Sequence, residues 1–134
     1  MEPDAREVIT ALRVRYAECD PMQVAHHSAY FIWFEAGRAD LCRARGIDYT
    51  AMERGGLFLP VVEARCRYVA GAHYDEELQL TTCVSQIKRR TVRFGYRLMR
   101  GDQLIAEGET YQMLVDANGR PRSFPPELFE CFQP

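Results

Sequence analysis

The sequence predicts an α+β domain in which one long buried helix packs against a curved antiparallel sheet of about five strands. Three observations predict it. Residues 9–18 alternate apolar and polar as a half-buried strand does, and residues 28–45 then switch to helical spacing. Four further alternating segments follow, joined by connections too short for the dozen or so residues that a parallel crossover needs. At 134 residues the chain suits one ordinary domain, so 1–134 is read as a single unit.

In the first strand Leu12, Val14 and Tyr16 share one face and Arg13 and Arg15 the other, and the strand is expected to end at Asp20-Pro21. In the helix Tyr30, Phe34, Gly37, Leu41 and Ala44 form a stripe that Phe31, Ile32 and Trp33 widen, which predicts burial. Ser28 is a candidate N-cap, and Gly46 is placed to end the helix in a left-handed conformation. Gly37 costs about 1 kcal/mol against alanine in a helix interior, so a close approach of the helix to the sheet is expected there. A short helix at 49–54 and a break at Gly55-Gly56 lead into strands at 57–69, 77–87, 91–99 and 104–115. The tail, with Asn118-Gly119 and Pro125-Pro126, reads as turn and coil. One helix covers little of such a sheet, so dimerisation through a sheet edge is expected.

Composition narrows the function. Hydrophobic residues at 47% and charged residues at 27% describe a globular chain, and a net charge of -2 argues against a nucleic-acid binder. No apolar run approaches the roughly 20 residues of a membrane span, and the N-terminus lacks the layout of a signal peptide, so a cytoplasmic protein is expected. The five cysteines, at 19, 42, 66, 83 and 131, are scattered and form no C-x-x-C, which suggests neither a disulfide framework nor a zinc site. His26 and His27 are adjacent but lack a third ligand at suitable spacing, so no metal is expected.

The informative stretch runs from Tyr16 to Arg38, where the carboxylate of Asp20 precedes a helix start at His27 by seven residues. First-turn N–H groups have no intrahelical acceptor, and the helix dipole favours negative charge there. A thioester oxygen turning into an oxyanion would find a donor at the His27 amide. Asp20 could then attack the carbonyl carbon or activate a water. On the residues alone, Asp-Pro also opens many ordinary turns. Cys19 adjoins this site, but no general base is fixed beside it. Lys88-Arg89-Arg90 lies between two strands, either as a solvated turn or as a grip for phosphates.

The stretch resembles the 4-hydroxybenzoyl-CoA thioesterase family of hotdog folds. Its signature is an aromatic residue, an acid, Thr or Cys, then Asp, a short turn and a helix carrying Glu-x-x-Arg. Tyr16, Glu18, Cys19, Asp20, Tyr30, Glu35 and Arg38 occupy those positions. The similarity continues through Leu59-Pro-Val-Val, Tyr74-Asp-Glu and Lys88-Arg-Arg-Thr, and so covers nearly the whole chain. It departs at Gln23, where the family usually has glycine. The resemblance implies a hotdog-fold acyl-CoA thioesterase with no cofactor beyond the coenzyme A of its substrate. It further implies Asp20 as catalytic carboxylate, the His27 amide as carbonyl-polarising donor, and Lys88, Arg89 and Arg90 as the grip on the CoA phosphates. An acyl carrier protein is the alternative thioester carrier, and a homodimer or homotetramer is expected.

Glu35 is the rival carboxylate, since some hotdog thioesterases place their acid on this helix, although Arg38 at i+3 suggests an ion pair. Glu18, two residues before Asp20, would share its face on a regular strand, and its charge would strengthen Asp20 as a general base. Two other functions suit the fold: an enoyl-thioester hydratase or dehydratase, and a non-catalytic acyl-CoA-binding protein.

Overall fold

The computed structural model describes residues 6–134. In chain order it comprises β1 (Glu7–Arg13), a 3-10 turn (Tyr16–Glu18), α1 (Ala29–Ala44), α2 (Tyr49–Arg54), β2 (Leu57–Phe58), β3 (Val61–Tyr68), β4 (Glu77–Ile87), β5 (Thr91–Arg100), β6 (Gln103–Met113), β7 (Val115–Asp116) and α3 (Pro126–Cys131). One antiparallel sheet has the order β1-β4-β5-β6-β3, and β2 pairs with β7 in a separate ribbon. The long helix α1 lies on this sheet, which is the hotdog arrangement that the resemblance implies.

The alternation in β4 and β5 explains which face meets the helix. Leu78, Leu80, Thr82 and Val84 of β4 and Val92, Phe94, Tyr96 and Leu98 of β5 are all buried, facing Trp33, Phe34 and Leu41 of α1. Phe34 stacks on Tyr96 with ring centroids 4.2 Å apart, and Gly108 leaves the space that its ring occupies. Gly37 does what the helical pattern predicts: a Cβ there would overlap Thr82 Oγ1 and come within 2.7 Å of Leu80 Cδ2. Gly46 ends α1 at φ 77°, the left-handed region that glycine enters without cost.

Four local features differ from the sequence reading. The first strand stops at Arg13, and residues expected to continue it form the 3-10 turn, because Glu18 folds back to accept from the Arg15 amide at 2.8 Å. Ser28 precedes α1 but makes no side-chain cap; the His26 ring takes that place, with Nδ1 accepting from the Ser28 amide at 3.2 Å. The 57–69 segment breaks at Leu59-Pro60 into β2 and β3. The tail is not all coil: α3 carries Pro126 in its first turn, where the missing N–H costs nothing, and Phe132 following it is buried edge-to-face against Phe94.

β3 is one edge of the sheet and β1 the other, and in β3 Val61, Val62 and Tyr68 are exposed although the alternation predicts one covered face. The single helix reaches this strand at the Tyr68 end, where Tyr30 packs edge-to-face on Tyr68 with ring centroids 4.8 Å apart, and leaves Val61 and Val62 uncovered.

Candidate active site

The loop between β1 and α1 is anchored from both sides. The Glu18 carboxylate is buried, at 9% exposure, and receives the Arg15 amide on Oε1 and the Trp33 indole N–H on Oε2 at 2.9 Å. It therefore ties the loop to α1. Because it stands on a 3-10 turn, the expectation that it shares a strand face with Asp20 fails, and with it the reason for preferring a general base.

Asp20 closes a tight turn. Its Oδ1 accepts from the Met22 amide at 2.8 Å and, at 3.4 Å, from that of Val24, while its own N–H donates to the Val24 carbonyl at 2.9 Å. Gln23 sits at the crest with φ 65°. That conformation explains physically why glycine suits this position. The Val24 end pairs with His73, the Ala25 amide donates to the Ala72 carbonyl at 2.7 Å, and the Tyr74 amide to that of Gln23 at 3.1 Å. These bonds fix Oδ1, and among the described residues Oδ2 receives no hydrogen bond.

His27 stands two residues before α1. The Tyr68 hydroxyl donates to its carbonyl at 2.8 Å, whereas its amide N–H has no hydrogen-bond acceptor among the described residues. The neighbouring donors are all used: His26 N–H reaches the Glu18 carbonyl at 2.7 Å, Ser28 N–H the His26 ring and Ala29 N–H the His26 carbonyl. The result is one exposed, orientated donor at the positive end of a 16-residue helix, following a carboxylate with one uncommitted oxygen.

Comparison with known proteins decides the family. Residues 14–132 match the pattern of the thioesterase-like superfamily. The chain belongs to the thioesterase-like superfamily. An acyl-CoA thioesterase of Haemophilus influenzae is 29% identical over 123 residues, 90% of each chain. Among solved structures, a hypothetical protein from Thermus thermophilus superimposes with a TM-score of 0.87 at 34% identity, covering 92% of this chain and 95% of that one. A DHNA-CoA thioesterase from Staphylococcus aureus superimposes with a TM-score of 0.90 at 27% identity over 94% and 88% of the two chains.

As a member of the thioesterase-like superfamily the chain is a thioester hydrolase, and its remaining candidate residues can be placed against that chemistry. Lys88, Arg89 and Arg90 form the exposed β4–β5 turn, closed by Lys88 N–H to the Thr91 carbonyl at 2.8 Å. Arg89 Nε also donates to Ser123 Oγ at 3.0 Å. The turn lies at the opposite end of β4 from the 72–76 segment that backs Asp20. Eleven residues of strand span roughly 36 Å, so one chain does not bring the two together.

Glu35 is exposed on α1 and makes no ion pair with Arg38 among the described residues. Arg38 is buried and donates to the Tyr96 hydroxyl at 3.1 Å. The Cys19 thiol is pushed up by burial and by the neighbouring Glu18 and Asp20 charges, which keeps it protonated and a poor nucleophile. Among the described residues no three His, Cys, Asp or Glu side chains are grouped as metal ligands. Tyr68 and the Ala72–Tyr74 backbone were invisible in the sequence as site residues, since no spacing links them to His27 or Asp20; only the fold brings them there.

Proposed function

We propose that the protein hydrolyses an acyl-CoA thioester to the free acid and CoA, with Asp20 acting on the thioester and the His27 amide donating to its carbonyl oxygen. The observation that carries this is the presence of one unused amide and one unused carboxylate oxygen in a loop whose other backbone N–H groups, from Cys19 to Ser28, are all bonded. As the carbonyl becomes tetrahedral its oxygen takes negative charge, and a preorganised N–H at a helix N-terminus stabilises that charge more than it stabilises the ground state. Asp20 Oδ2 supplies the attack, directly or through a water that it deprotonates. Collapse of the adduct expels the CoA thiolate, a stable leaving group that needs little protonation.

The CoA phosphates are assigned to Lys88, Arg89 and Arg90 of a second copy. The free edge of β3 carries exposed Val61 and Val62, and a twofold axis would pair two such edges antiparallel. Tyr68 marks the end of β3 beside His27, whereas Val61 pairs with Gln112 and Gln112 with Val92, next to the basic turn. Antiparallel pairing therefore brings the second copy's basic turn to the end of the sheet that holds this chain's Asp20.

A panel of acyl-CoAs incubated with the protein and a thiol reagent tests the function. Thiol release is expected. Water addition to an enoyl-CoA without thiol release would indicate a hydratase, and retention without either reaction would indicate a binding protein.

A further inference from the structure

Arg38 is 7% exposed, and it stands in the middle of α1 on the face that meets the sheet. A buried guanidinium normally has an anion beside it, because the charge loses its hydration on burial. Here its hydrogen-bond partner among the described residues is the neutral Tyr96 hydroxyl, itself bonded to Thr110 Oγ1 at 2.6 Å, which in turn reaches Gln112 Oε1 at 3.2 Å. No carboxylate lies within ion-pair distance of Arg38 among the described residues. The neighbouring Cys42, Tyr49 and Tyr96 do not supply an anion either, since burial pushes all three acids up despite the cation. Among the described residues Thr82 Oγ1 is the one fully buried side-chain polar atom without a partner, so the unused guanidinium nitrogens of Arg38 are not sealed in. Arg38 lines a cavity of about 430 Å³ together with Tyr49, Met52, Leu59, Pro60 and Gln112.

We infer that this cavity, which its Val61 and Gln112 lining places at the basic-turn end of the sheet and so beside Asp20 of the second copy proposed above, is a carboxylate-binding subsite for the far end of the acyl group, so that the preferred substrates are thioesters of dicarboxylic acids. The inference rests on the thioesterase reading proposed above. The guanidinium presents a planar fork that matches a carboxylate, and Met52, Leu59 and Pro60 supply apolar surface for the chain leading to it. Glu35 and Glu53 also border the cavity, but both side chains are exposed, where water screens them, whereas the buried cation acts at short range in a medium of low dielectric.

The test compares ω-carboxyacyl-CoAs with methyl-ended acyl-CoAs of the same chain length, from five to ten carbons. The wild-type protein is expected to favour the carboxylated member in kcat/KM by at least tenfold at one length, mainly through KM. Arg38→Gln, checked for folding by circular dichroism, should reduce that ratio to near one, with Arg38→Lys between them. In parallel, thermal unfolding with free glutarate, adipate or suberate should show a concentration-dependent rise in Tm for the wild type. Equal wild-type rates for both members at every length would overturn the inference even while thiol release upholds the thioesterase reading. A Tm rise without substrate preference would mean a site for free carboxylic acids and would likewise overturn the assignment to the acyl chain. If the protein cleaved no thioester, the thioesterase reading would fall, and the Tm measurement would still report whether the cavity holds a carboxylate.

Discussion

Gln23 shows how a single backbone angle carries information about the site. A side chain at φ 65° costs about 1–2 kcal/mol relative to the right-handed regions, and the bonds of Gln23 to Asp20 and Tyr74, with the Asp20–Val24 bond that closes the turn, hold it there. Gln23→Gly should therefore leave Tm unchanged or raise it slightly, whereas β-branched Gln23→Val should lower it; equal losses would mean that the turn does not depend on this conformation. Glu18 has a different role from the one its spacing suggests. Glu18→Ala would leave the Trp33 indole and the Arg15 amide without acceptors and should cost about 2–4 kcal/mol, measured by denaturant unfolding. Since Glu18 does not share a strand face with Asp20, the choice between nucleophile and general base goes to isotope labelling. A single turnover with excess enzyme in oxygen-18 water labels the first acid product if water attacks. It leaves that product unlabelled if Asp20 attacks and water then opens the anhydride at the aspartyl carbon.

At the scale of elements, the 71–76 segment is the support against which the Asp20 loop is built. Glu76 accepts from the His73 amide at 2.7 Å and from Arg100 at 2.8 Å, and Arg100 also reaches the Gly71 carbonyl at 3.1 Å. Burial alone would raise the Glu76 pKa, but the bonds from His73 and Arg100 outweigh it and hold the carboxyl below its ordinary value of 4.5. A depressed carboxyl contributes stability that is fully present above the unfolded value and is lost as pH falls through the folded value. The Tm difference between wild type and Glu76→Gln should accordingly be largest near neutral pH and shrink below about pH 4.5. A difference that stayed constant with pH would show that Glu76 acts through packing alone. The contact of α1 with β4 makes a second test. Gly37→Ala forces a methyl group against Thr82 and Leu80 and should cost about 1–3 kcal/mol, partly relieved by adding Thr82→Ala, which also removes a buried hydroxyl without a partner.

For the molecule as a whole, the order of elements was legible because the two periodicities, 2 and 3.6, are well separated in this chain. Leu78, Leu80, Thr82 and Val84 announce their shared face directly, and Tyr30, Phe34, Gly37 and Leu41 announce the helix that covers it. What escaped the pattern was decided by local hydrogen bonding or by chain topology. The Glu18 carboxylate turned the end of an apparent strand into a 3-10 turn, Pro126 began a helix where a proline pair suggested coil, and Tyr68 reached His27 across 41 residues of sequence. The Asp20–His27 spacing was legible, but the bond state of each group was not. The second copy proposed above would pair through the exposed β3 edge. Under that proposal the wild type sediments as a dimer or larger oligomer, and Val62→Glu should weaken the association and lower turnover; a fully active monomer would remove the second copy's basic turn from the site.

In the proposed mechanism Asp20, and not Glu35, is the carboxylate on which turnover depends. Thiol release from a saturating acyl-CoA substrate by Asp20→Asn and Glu35→Gln, measured side by side with wild type at matched Tm, tests it most directly. Asp20→Asn should lose about 10²–10⁴-fold in kcat, the range expected for deleting a positioned acid–base group, while Glu35→Gln keeps most of its turnover. Near-wild-type turnover by folded Asp20→Asn, or its loss in folded Glu35→Gln, would contradict the account.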